Sequence, residues 1–117
     1  MTDQNRFINT AVSGFYGNSP LELLSSIQNI ETRFGRNRSC ERRWGERLLD
    51  IDILLFGDIA LAEPDLQIPH PRLKERRFAL EPLLELLPEA IEPGTGLSYK
   101  KICQALPDQG VIRIERM

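Results

Sequence analysis

The run LLDIDILLF, residues 48–56, constrains the fold more than any other part of the chain. A leucine- and isoleucine-rich run of this length, closed by Gly57, predicts a buried strand. Side chains alternate along a strand, so Leu49, Ile51, Ile53 and Leu55 share one apolar face. Leu48, Asp50, Asp52 and Leu54 share the other. The Cα atoms of Asp50 and Asp52 then lie roughly 6.6 Å apart, close enough for their carboxylates to converge. Two anions so placed repel, and one pKa rises unless something positive lies between them. Arginines could pair with them, one shared proton could make an acid–base dyad, or divalent cations could bridge them.

The elements around this strand point to a mixed fold. Residues 6–16 alternate well enough for a strand. Ser19, Pro20 and Glu22 spell an N-cap, a first helical position and a capping box. Leu23, Ile27, Ile30 and Phe34 recur at helical spacing, with Glu31 on the edge of that stripe and Gly35 as a stop. A helix between two strands predicts a β-α-β crossover with a parallel pair. Farther on, IPHPRL holds the chain extended around His70. Residues 77–87 carry helical periodicity, with Pro82 marking a first turn and the helix proper starting near Glu81. Gly94 and Gly96 make a turn, residues 98–106 a short helix capped by Ser98, and residues 111–116 a last strand. The fold class is α+β, or a small α/β sandwich.

Composition bounds the function. The 117 residues fit one domain, 1–117. A net charge of −2 gives no reason to expect nucleic acid or an anionic membrane as a partner. Of 15 basic residues only Lys74, Lys100 and Lys101 are lysines; the arginine fork suits phosphate. Cys40 and Cys103 lie far apart without a CxxC pairing, which reads as two free thiols in a reducing compartment. With no long apolar run and no signal-peptide pattern, the expected location is the cytoplasm.

The arginines cluster. Arg33, Arg36, Arg38, Arg42, Arg43 and Arg47 fall in one window, opposed only by Glu41 and Glu46. Beside the two aspartates they suit a nucleoside triphosphate, held through magnesium on one side and guanidinium groups on the other. Neither a P-loop nor a kinase-type glycine-rich loop is present.

The run Arg43-Trp44-Gly45-Glu46-Arg47-Leu48-Leu49-Asp50-Ile51-Asp52-Ile53-Leu54 resembles the diagnostic motif of the hydroxymethyldihydropterin pyrophosphokinases (HPPK) of folate biosynthesis. The resemblance continues through Phe56-Gly57, Ile68-Pro69-His70-Pro71-Arg72-Leu73, Glu75-Arg76-Arg77-Phe78 and Pro82-Leu83. Upstream it includes Phe7-Ile8-Asn9, Ile30-Glu31 and Gly35-Arg36-Asn37-Arg38, so nearly the whole chain is covered. It implies transfer of diphosphate from ATP to 6-hydroxymethyl-7,8-dihydropterin, with release of AMP. By the same resemblance Asp50 and Asp52 ligate two Mg²⁺ ions, Arg36 and Arg47 contact the reacting phosphates, and Arg38 and Trp44 belong to a loop that closes over the nucleotide. Glu31, His70 and Arg76 would bind ATP. Phe78 would stack on the pterin and Asn9 would hydrogen-bond it. Phe7 stands where the family often has tyrosine, keeping the apolar wall without the hydroxyl.

The family fold is a ferredoxin-like α/β sandwich whose members begin several tens of residues earlier. The resemblance therefore implies an HPPK-type fold lacking its first β-α-β portion, with one wall of the pterin pocket absent. A sheet edge left open by that lack is expected either to close directly or to pair in a homo-oligomer. The serious alternative is an impaired remnant that binds Mg-ATP or serves as an assembly subunit. An RNA-binding module would want exposed stacking aromatics and a basic face. A metal-dependent nuclease or phosphatase would want more acidic or histidine ligands than two aspartates and His70.

Overall fold

The computed structural model describes residues 9–35 and 49–114. The chain forms two compact units, Phe15–His70 on one hand and Met1–Gly14 with Pro71–Met117 on the other.

In the first unit, helix α1 spans Pro20–Arg33 and starts as its sequence dictates. The Glu22 N–H donates to Ser19 Oγ at 3.2 Å, and the Ser19 N–H donates to Glu22 Oε1 at 3.0 Å. Both bonds satisfy donors that a helix start otherwise leaves open. The helix stops at Phe34, and Gly35 follows at φ 115°, a region that disfavours side chains with a Cβ. The buried stripe differs from the expected one. Ile27 and Glu31 are buried, whereas Ile30 and Phe34 are exposed. The helix face has turned toward Glu31 because that carboxylate has a partner inside.

The partner is the aspartate-bearing segment. Residues 49–56 form no ladder, so the expected strand and its parallel partner at 6–16 are not seen among the described residues. Alternation in a sequence reports a local preference for extended backbone, whereas a strand also needs a partner whose position no local pattern encodes. Alternation of exposure nonetheless holds where it matters: Leu49, Ile51 and Ile53 are half-buried, Asp50 and Asp52 exposed.

Strands β1, Leu61–Glu63, and β2, Leu66–Ile68, form an antiparallel hairpin in which Leu61 faces Ile68, Ala62 faces Gln67 and Glu63 faces Leu66. It is the only sheet among the described residues. Pro64 and Asp65 make its two-residue turn, and Leu66 and Ile68 bury the inward face. The sequence reading passed over this hairpin.

The second unit has its own core. A 3-10 turn, Leu73–Glu75, leads into helix α2, Arg77–Leu86, and α2 packs against helix α3, Tyr99–Ala105. Leu73, Leu80, Leu83, Tyr99 and Cys103 are buried there. Ser98 caps α3 by accepting from the Lys101 N–H at 3.2 Å, as expected. Between the helices, Gly94 and Gly96 turn the chain so that Ile91 bridges Ser98. Helix α2 begins at Arg77 rather than near Glu81, so Pro82 lies inside it. The anticipated last strand also differs, since Val111–Ile114 are described without a ladder partner.

Candidate active site

Two ties hold the Asp50–Asp52 segment in the first unit. The Ile51 N–H, from the residue between the aspartates, donates to Glu31 Oε2 at 2.8 Å. A bond to a charged acceptor at this length is among the stronger kinds. Three residues on, Leu54 O accepts from the His70 N–H at 3.0 Å. Helix α1 thus fixes one point of the segment, and the chain leaving β2 fixes another. Gly57 ends the segment with φ 58°, a turn in which the Ile59 N–H reaches Phe56 O at 3.1 Å. An edge-to-face contact between Tyr16 and Phe56, 6.4 Å between centroids, adds an apolar anchor.

The side chains placed by these ties are chemically distinct. The Asp52 side chain is 61% exposed, and its Oδ1 lies 4.0 Å from His70 Nε2, whose ring is 21% exposed. The imidazole attracts the carboxylate fully only when protonated. Glu31 was placed by its sequence position at a helix edge; the structure shows it buried and bonded to backbone. Two exposed carboxylates on a backbone held at fixed points offer hard oxygen donors of the kind Mg²⁺ takes together with substrate phosphates. No group of three or more His, Cys, Asp or Glu capable of holding a metal exists among the described residues. Two carboxylates alone would leave the other ligand positions of a hard cation to phosphate or water.

The second unit carries other expected site residues. Asn9 is exposed. Phe78, in the first turn of α2, is 41% exposed, and the Arg76 guanidinium lies 5.4 Å from its ring centroid, within cation–π range. Phe7, Arg36, Arg38, Trp44 and Arg47 lie outside the described residues, as does Cys40, while Cys103 is a buried free thiol. The sequence reading missed Arg77 and Gln109, whose bonds fix the start of α2. Only the position of Arg77 inside the Glu75–Phe78 motif hinted at a role.

The α+β chain thus presents two exposed aspartates on a tied backbone, oxygen donors of the kind a hard cation takes. Comparison with known proteins specifies the kind. The chain belongs to the HPPK family: the model for 7,8-dihydro-6-hydroxymethylpterin-pyrophosphokinase matches residues 1–88. A 2-amino-4-hydroxy-6-hydroxymethyldihydropteridine pyrophosphokinase of Pseudomonas aeruginosa is 40% identical over 112 residues, covering 96% of this chain and 67% of the relative. The enzyme of that name from Bacillus subtilis is 43% identical over 93 residues, covering 80% of this chain and 54% of its own length. The mitochondrial folate synthesis bifunctional protein of Arabidopsis thaliana is 45% identical over 95 residues, covering 81% of this chain and 17% of its own length. The chain thus spans between about half and two thirds of these two bacterial relatives. No helix among the described residues is long and apolar enough to cross a membrane.

Proposed function

We propose that the chain transfers the terminal diphosphate of ATP to the hydroxymethyl group of 6-hydroxymethyl-7,8-dihydropterin, in the cytoplasm, as a step of folate biosynthesis. The carrying observation is the Asp50–Asp52 segment, exposed at both carboxylates and tied through Ile51 and Leu54. Membership of the HPPK family supports the reaction assigned to it. The pterin hydroxyl oxygen forms a bond to the β-phosphorus, and the bond from that phosphorus to the α,β-bridging oxygen breaks. AMP leaves with the bridging oxygen, and the hydroxyl proton passes to solvent.

Asp50 and Asp52 would hold two Mg²⁺ ions. Bound there, the metal supplies charge neutralisation for the triphosphate and for the oxygen that departs. His70, whose Nε2 lies 4.0 Å from Asp52 Oδ1, belongs to the nucleotide side of the proposal. Glu31 acts on the same site through the Ile51 N–H. Arg36, Arg38, Trp44 and Arg47 complete the nucleotide side of the proposal, with Arg76. Phe78 offers its exposed ring as a stacking surface for the pterin, joined by Phe7 and Asn9. The ferredoxin-like sandwich belongs to the same proposal, supported by family membership.

Calorimetric titration with a non-hydrolysable ATP analogue tests the site, and AMP release in a coupled assay tests the reaction. Binding should require Mg²⁺, and Asp52→Asn should weaken it by at least about tenfold, the loss of one charge-assisted contact. Because Asp52 is exposed, that variant should keep its stability. Unchanged affinity would make Asp52 a surface residue and end the proposal.

A further inference from the structure

Arg76 occupies an odd position. It is extended, at φ −119° and ψ 105°, between a 3-10 turn and α2, and its side chain gives the helix no cap. What holds it extended comes from 33 residues away. The side-chain amide of Gln109 reaches the peptide groups on both sides: Gln109 Oε1 accepts from the Arg77 N–H at 2.9 Å, and Gln109 Nε2 donates to Glu75 O at 2.9 Å. One amide thereby does for Arg76 what a neighbouring strand does for a residue in a ladder. It also satisfies the first of the helix donors that α2 would leave open.

Arg77 closes the same contact from its own side. Its Nε donates to Pro107 O at 2.9 Å, its Nη2 to Leu106 O at 2.8 Å, and its Nη1 to Glu81 Oε2 at 2.9 Å. The guanidinium thus captures two carbonyls at the end of α3 and ties them to the first turn of α2. A five-donor fork is suited to such convergent acceptors, and lysine is not. With Pro82 inside α2, the turn before it is the weak one, since proline removes a helix hydrogen bond. That weak turn carries Phe78, and Arg76 precedes it.

We propose that residues 106–109 act as an intramolecular clasp, closed by Arg77 and Gln109, which sets where α2 begins and makes both residues positioning residues for Arg76 and Phe78. The inference deepens the proposed function and its substrate-binding half rests on that reading. The bonds of Arg77 and Gln109 go to groups of this same unit, and they fix the backbone from which Arg76 lies over the Phe78 ring.

Two measurements on the full chain test it. Hydrogen–deuterium exchange without ligand should rise in residues 77–81 for Gln109→Leu and for Arg77→Met, with α3 protected as before. Exposed Gln104→Leu, on α3, serves as the control. Fluorescence titration with 6-hydroxymethylpterin, in the presence of Mg²⁺ and the ATP analogue, should show about tenfold weaker binding for Gln109→Leu, the scale of one or two neutral hydrogen bonds. Unchanged exchange in both variants overturns the clasp. Raised exchange, or a lowered melting temperature, with pterin affinity unaltered overturns the positioning role and leaves a purely structural one. If the unmodified chain binds no pterin, the proposed function fails and the positioning role with it, while exchange still decides whether the clasp sets the helix start.

Discussion

Replacing Glu31 separates two ways in which one buried carboxylate can serve a site. Its Oε2 takes the Ile51 N–H at 2.8 Å, and the residue is 6% exposed. Glu31→Ala removes a charge-assisted bond and leaves a half-buried donor without its acceptor, at a cost of about 2–3 kcal/mol. Glu31→Gln keeps an acceptor oxygen in place and should cost about 1 kcal/mol. For a chain of this size, whose total stability is on the order of 10 kcal/mol, the alanine loss is easily measured. With a urea slope of about 1.5 kcal/mol/M, the midpoint should fall by roughly 1.5 M in the alanine variant and by less than about 1 M in the glutamine one.

Function should follow the same order, because Ile51 lies between the aspartates. Glu31→Ala should weaken magnesium-dependent nucleotide binding although both aspartates are intact, and Glu31→Gln should stay near the unmodified chain. Two results would refute the reasoning. An alanine variant within about 0.5 kcal/mol of the unmodified chain would mean that the tie contributes nothing. A glutamine variant that keeps its stability yet binds nucleotide as poorly as the alanine one would mean that the carboxylate contacts the nucleotide directly.

Four further expectations concern stability. Hydrogen bonds from Thr95 and Lys74, with the Lys74 charge, hold the Glu92 carboxyl below its ordinary 4.5 despite burial. A depressed folded pKa gives stability that is present above 4.5 and lost as pH falls through the folded value, so urea midpoints should drop on acidification below about pH 4.5, and less so in Glu92→Gln. Burial, with the Glu92 charge, pushes the Tyr99 hydroxyl up to about 12. Stability should therefore decline as pH rises above 10, where only the unfolded chain ionises, and Tyr99→Phe should abolish that decline. At neutral pH the same variant should be neutral or stabilising by up to about 1 kcal/mol, because the buried hydroxyl has no hydrogen-bond partner among the described residues; calorimetric melting checks this. Ser19→Ala should cost about 1 kcal/mol by breaking the capping box, read by urea denaturation.

What could be read from the chain, and what could not, divides by the range of the interaction involved. The start of α1 was legible because Ser19, Pro20 and Glu22 complete one another within a single turn. The same holds for Ser98 and α3. The start of α2 was not, since proline preference at a first helical turn pointed near Glu81, whereas Gln109 caps Arg77 from across the unit. Burial of Glu31 escaped for a like reason: helix periodicity ranks it as an edge residue, and only a backbone donor 20 residues on makes its burial tolerable. The expected strands failed in the same direction, each having the right alternation and no described ladder partner. Asp50 and Asp52 are the instructive exception. Carboxylates in an apolar run violate local economy, and that conflict was visible without any knowledge of partners. Their exposure in the structure shows how the conflict is relieved: the backbone is held by Glu31 and His70, while both carboxylates face outward. Residue chemistry thus pointed to the candidate site, whereas the ties on its backbone come from neighbours distant in sequence. Perturbing those ties, rather than the aspartates, is accordingly the sharper test of whether this backbone is built for ligand or for stability alone.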